Sequence, residues 1–132
     1  MNKVEHIGIA VKNLETSIDL FTKLLNTPCY KVEEVESEQV RTGFFQKGET
    51  KVELLESLST DGVIAKYLEK KGEGIHHLAF LVTDIEKEME RMKQEGFVLL
   101  NEKAKKGADN KLVCFLHPKS ANGVLIELCQ SF

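Results

Sequence analysis

The sequence predicts an α+β fold built from two βαβββ modules in tandem. Three observations carry that prediction. The chain repeats itself at an offset of 71 residues, with HIGIAVKNLETSIDLF from His6 matching HLAFLVTDIEKEMERM from His77, as expected of a duplicated supersecondary unit. The match resumes with KVELLES from Lys51 against LIELCQS from Leu125, at an offset of 74. Within each copy the apolar period runs from two to about 3.6 and back to two, the order strand, helix, strands.

The first module, residues 1–58, opens with a strand over Val4–Val11. Asn13 is placed to cap a helix whose apolar residues Leu14, Ile18, Phe21 and Leu25 share one face. Three strands follow, Cys29–Val35, Val40–Lys47 and Lys51–Glu56, the last two joined by a hairpin turn at Lys47-Gly48-Glu49-Thr50. Residues 59–73 form a linker with a short amphipathic helix over Thr60–Lys71. Ile64, Tyr67 and Leu68 make its apolar side, and Gly72 and Gly74 end it. The second module, residues 74–132, repeats the plan with a strand over Ile75–Val82 and Asp84 as cap. Its helix carries Ile85, Met89 and Met92 inward and stops at Gly96. Strands over Phe97–Asn101, Lys111–His117 and Val124–Gln130 complete it, with Pro118–Asn122 as a polar connection. The 132 residues fit one domain made of these two halves.

Composition excludes some functions. The chain is 42% hydrophobic and 30% charged with net charge -3, an ordinary globular balance with no basic footprint for nucleic acid. No stretch approaches a membrane span, and the N-terminal MNKVEHIGIAV lacks the layout of a signal peptide. Cys29, Cys114 and Cys129 are an odd set without CxxC spacing, and two of them lie in apolar runs, which reads as small core residues in a reducing compartment. The expectation is a soluble cytoplasmic protein with no membrane partner.

The chemistry is carried by matched pairs. Strand alternation puts His6, Gly8 and Ala10 on one face and bulky Ile7, Ile9 and Val11 on the other. His77, Ala79 and Leu81 are the corresponding set in the second copy, so a small residue stands beside each histidine. Glu53 and Glu127 each interrupt an apolar strand, at equivalent places. A lone strand-initial histidine is ordinarily structural, and a lone strand glutamate ordinarily faces solvent. Two of each, matched pairwise, point instead to a divalent transition metal held by imidazole and carboxylate. His76 has the opposite parity to His77 and is assigned a structural role. His117 ends a strand before Pro118 with no match in the first half and is assigned to a loop or edge.

These residues, with the runs HIGIAVKNLE, GETKVELLE, GEGIHHLAFLV and FLHPKSANGVLIEL, resemble the vicinal oxygen chelate superfamily, which includes glyoxalase I, extradiol dioxygenases and fosfomycin-resistance proteins. Within it the chain is similar to the methylmalonyl-CoA epimerase family over essentially its whole length, the last two runs being the most specific. The resemblance implies a cup-shaped mixed β-sheet with flanking helices. It also implies a divalent metal, Co²⁺ favoured and Mn²⁺, Mg²⁺, Ni²⁺ or Zn²⁺ compatible, on His6, Glu53, His77 and Glu127. The implied reaction interconverts (2R)- and (2S)-methylmalonyl-CoA by 1,1-proton transfer at C2 through a metal-stabilised enolate. Glu127 would combine ligation with proton transfer. The opposing acid/base residue falls on Glu38, with Glu36 competing, because the family's Glu-Gln-Gly appears here as Glu38-Gln39-Val40. Lys105, Lys106 and Lys119 are candidates for the coenzyme A phosphates, and a homodimer is implied. A glyoxalase I-type isomerase, a thiol transferase or a non-enzymatic binding protein of the same superfamily are the alternatives.

Overall fold

The computed structural model describes every residue from Met1 to Phe132. The chain forms two compact units, one of His6–His76 and the other of Met1–Glu5 with His77–Phe132. The linker helix therefore belongs with the first module, and the first residues of the chain belong with the second. The Asn2 N–H donates to the Leu81 carbonyl at 2.8 Å, and the Asn2 amide bonds Thr83 at 3.1 Å.

In the His6–His76 unit the strands β1 (Lys3–Ala10), β2 (Lys31–Val35), β3 (Val40–Lys47) and β4 (Thr50–Ser57) lie in the order β2-β3-β4-β1. β1 runs parallel to β4, and the other pairs are antiparallel. Helix α1 (Leu14–Leu25) begins where Asn13 Oδ1 accepts the Thr16 N–H at 2.9 Å. Its apolar stripe covers one sheet face, packing Leu14, Ile18, Phe21 and Leu25 against Ile9, Val11, Phe45, Val52 and Leu54. Gly43 lies beneath it, where an added Cβ would come within 3.2 Å of Ile18. On the opposite face α2 (Val63–Lys71) packs Ile64, Tyr67 and Leu68 over Ala10, Val40 and Leu55. That face carries His6 and Glu53.

The second unit repeats the plan with β5 (Gly74–Leu81), β6 (Lys105–Lys106), β7 (Lys111–Leu116) and β8 (Ile126–Ser131) in the order β5-β8-β7-β6. Asp84 caps α3 (Ile85–Gln94) by accepting the Lys87 N–H at 3.2 Å. Ile85, Met89 and Met92 pack on Cys114, Leu116 and Leu128. At the helix stop Gly96 has φ +93°, a conformation open to glycine and costly for a residue with a Cβ. The α+β class and the tandem βαβββ order are thus as expected from the sequence.

One element departs from expectation. Phe97–Asn101 makes no continuous strand, only an isolated bridge between Leu99 and Leu116. Asn101 is the physical reason. Its side-chain oxygen accepts the Phe115 N–H at 3.0 Å, taking a place that a backbone carbonyl would fill in a ladder. The edge strand forms later, as the short pair Lys105–Lys106 on β7. Two 3₁₀ turns, Glu36–Glu38 and Pro118–Ser120, also went unread in the sequence.

Candidate active site

The sheet registers place the matched residues. In the first unit Gly8 stands beside Glu53 across the parallel pair, and Phe44 stands on its other side. In the second unit Ala79 and Phe115 flank Glu127 in the same way. Each carboxylate therefore sits in a row of small residue, glutamate and phenylalanine. A small residue thus stands on one side of each carboxylate and an aromatic ring on the other.

The histidines stand in the adjacent rows, on the same faces as the glutamates. His6 Nδ1 lies 3.2 Å from Glu53 Oε2, and His77 Nε2 lies 3.2 Å from Glu127 Oε1. His6 and Glu53 are each 4% exposed, and His77 and Glu127 are each 5% exposed. A charge so deeply placed costs several kcal/mol, of order, unless paired or bound to an ion. The Phe115 ring meets His77 edge-on, with centroids 5.7 Å apart and planes at 87°, which holds the imidazole against rotation. Donor type and spacing both suit a divalent ion. Atoms bound at ~2.1 Å to one centre at roughly right angles lie ~3 Å apart, as in each pair. The same spacing lets each imidazole donate to its carboxylate when no ion is bound.

A second symmetric device lies three residues beyond each glutamate. Glu56 Oε2 accepts the Leu14 N–H at 2.9 Å, and Gln130 Oε1 accepts the Ile85 N–H at 2.7 Å. Leu14 and Ile85 are the first residues of α1 and α3, whose N–H groups have no partner inside the helix. The strand that carries each glutamate is thereby tied to the helix behind it. The repeat alignment already paired Glu56 with Gln130, but nothing local in the sequence announced this role.

A family model described as the Glyoxalase/Bleomycin resistance protein/Dioxygenase superfamily matches residues 5–115. The chain belongs to that superfamily. It stands with the methylmalonyl-CoA epimerases of the superfamily. It is 36% identical over 132 residues to the ethylmalonyl-CoA/methylmalonyl-CoA epimerase of Cereibacter sphaeroides, covering 98% of both chains. An uncharacterized protein of Bacillus subtilis is 36% identical over 130 residues, covering 98% of this chain and 93% of the relative. Among solved structures, a Streptomyces coelicolor methylmalonyl-CoA epimerase in complex with 2-nitronate-propionyl-CoA superposes with a TM-score of 0.93 at 28% identity. That match covers 99% of this chain and 95% of the other.

In this member of the superfamily the remaining sequence candidates fall outside the rows. Glu38 stands outside the two strand rows. It lies, half-buried, in the 3₁₀ turn that precedes β3, while the strand residue opposite Glu53 is Phe44. Glu36 lies in the same turn and is exposed. The parity reading that separated His76 from His77 agrees with the structure, since the His76 ring packs edge-on against Tyr67 of α2 at 4.9 Å. Lys105 and Lys106 form the exposed strand β6, and Lys119 is exposed in the second 3₁₀ turn. Sequence reasoning missed Thr42. It is 1% exposed, and its hydroxyl has no hydrogen-bond partner. It stands opposite Leu55, one row along from Glu53 on the same face. Its counterpart in the second unit, opposite Cys129, is Val113.

Proposed function

We propose that the chain is a metal-dependent epimerase of methylmalonyl-CoA, interconverting the (2R) and (2S) forms by 1,1-proton transfer at C2. The observation that carries this reading is the recurrence of one buried His–Glu pair, in one sheet register, in both copies of the repeat. Relatives named as methylmalonyl-CoA epimerases, one of them solved with a propionyl-CoA analogue, support the substrate.

His6, Glu53, His77 and Glu127 are the proposed ligands of one divalent ion. When bound, such an ion supplies Lewis-acid stabilisation of the negative charge that develops on the thioester oxygen. The protein's own groups do the rest. Gly8 and Ala79 leave space for the acyl group against the two carboxylates. Phe44 and Phe115 exclude water on the far side, which strengthens every electrostatic interaction within the rows. Glu127 is one proposed proton-transfer group, with Phe115 and Ala79 as its strand neighbours. Glu38 is the proposed opposing group, with Glu36 competing. Glu38→Gln is expected to lower exchange by about 10²–10⁴-fold, the loss typical of a general acid or base.

The test is hydrogen exchange. Protein, divalent metal and methylmalonyl-CoA are incubated in D₂O, and deuterium at C2 is followed by mass spectrometry and NMR. Exchange far above the blank is expected, with Glu127→Gln lowering it at least 10²-fold. A wild-type rate equal to the blank would remove the epimerase reading. Full exchange in Glu127→Gln would remove Glu127 from proton transfer.

A further inference from the structure

His117 is the histidine that neither the repeat nor the ligand set absorbs. It follows the last residue of β7 and caps the turn Pro118–Ser120. Its Nδ1 accepts the Lys119 N–H at 2.9 Å. Its backbone is pinned as well, the N–H donating to the Val98 carbonyl at 2.7 Å and the carbonyl accepting the Ser120 hydroxyl at 2.9 Å. A ring nitrogen that accepts a hydrogen bond carries no proton, so the neutral imidazole has its N–H on Nε2. No hydrogen bond inside the chain uses that N–H, and the side chain is only half-buried. The fold thus presents a donor of fixed tautomer and leaves it to something outside the chain.

The register position of His117 places it on the face of the sheet that carries Glu127. Phe115, two residues earlier and of the same parity, stands opposite Glu127 and packs on His77. The ladder puts Leu116 opposite Ile126, so His117 falls opposite Leu125. Leu125 in turn neighbours His77, because its carbonyl accepts the Leu78 N–H at 3.1 Å. His117, Leu125 and His77 form the row next to Phe115, Glu127 and Ala79. With strands about 4.8 Å apart, His117 lies about 10 Å from His77 across the sheet.

We infer that the His117 Nε2–H is a substrate-binding donor for the free carboxylate of the acyl group, and so selects malonyl-type thioesters over simple acyl thioesters. This rests on the substrate class proposed above. The chemistry fits the group. A malonyl carboxylate presents two oxygens with several lone pairs, and each oxygen that leaves water on binding must find a donor. A neutral imidazole N–H on a pinned backbone satisfies one oxygen without losing side-chain freedom on binding.

The inference is tested by calorimetric titration of two thioesters, methylmalonyl-CoA and propionyl-CoA, which differ by the carboxylate. His117→Ser keeps an oxygen to accept the Lys119 N–H and removes the imidazole N–H. Loss of one hydrogen bond to a charged group corresponds to about tenfold weaker binding. The expected result is therefore about tenfold weaker binding of methylmalonyl-CoA by His117→Ser, with propionyl-CoA binding unchanged and the melting temperature close to wild type. His117→Ala, which also loses the cap, reports the cap's share. Equal weakening of both ligands, no weakening of either, or no binding by the wild type would overturn the inference. Deuterium exchange by the wild type is run in parallel. Binding without exchange would fail the epimerase reading while the two-ligand comparison still reads the role of His117.

Discussion

Thr42 buries a hydroxyl without a partner beside the row of Glu53, and an unmet buried hydroxyl costs about 1–3 kcal/mol. Thr42→Val, which keeps the shape and copies the Val113 of the other unit, is expected to raise unfolding stability by about 1 kcal/mol in urea titrations. A loss of stability instead would mean that the hydroxyl is satisfied in solution. The thiols can be sorted in the same way. Burial pushes the Cys114 thiol up to about 11, and Cys129 is fully buried, whereas Cys29 is only partly covered. The thiolate is the reactive species, so a disulfide reagent at pH 8 should consume Cys29 quickly and the other two only on unfolding. Cys114 also sets a pH trend. Its thiol ionises in the unfolded chain near pH 8.5–9 but stays protonated when folded. Above that pH the unfolded state binds fewer protons, and stability falls as the pH rises toward about 11. Melting curves between pH 8 and 11 should be flatter for Cys114→Ala than for wild type.

At the scale of elements, each glutamate-bearing strand is coupled to the helix behind it. The Glu56 and Gln130 side chains take the first N–H of α1 and α3, while Asn13 and Asp84 take a later one. Two acceptors per helix start explain how such short helices hold their register over the sheet. Glu56→Ala and Gln130→Ala are each expected to cost about 1–2 kcal/mol in denaturant unfolding. Gln130→Glu keeps the acceptor and should cost far less. The strand candidate Phe97–Asn101 shows the converse, an element undone by one side chain. Its composition is that of a strand, but Asn101 bonds the Phe115 N–H and interrupts the ladder. A side chain that competes with the backbone for one hydrogen bond leaves no periodicity to read.

At the scale of the whole molecule the prediction concerns one ion against two. If both His–Glu pairs serve a single divalent ion, removing either histidine abolishes the stabilisation. At 100 times its dissociation constant an ion stabilises by about 2.7 kcal/mol. The melting temperature should therefore rise on adding Co²⁺ or Mn²⁺ to chelator-treated wild type, and not rise for either His6→Ala or His77→Ala. A partial rise in both variants would show that each pair binds separately. The sequence by itself determined the duplication, the order of elements, the helix caps at Asn13 and Asp84, and the residues of both His–Glu pairs. All of these are written locally, as a period, a cap residue or a match at fixed offset. Strand alternation then chose His77 over His76 without further information. Only the tertiary structure decided which residues flank each glutamate, that Glu38 lies in a 3₁₀ turn before β3, and that the His117 imidazole is left with an unused N–H. Those outcomes depend on sheet register and on hydrogen bonds between residues far apart in the chain, which no local pattern records.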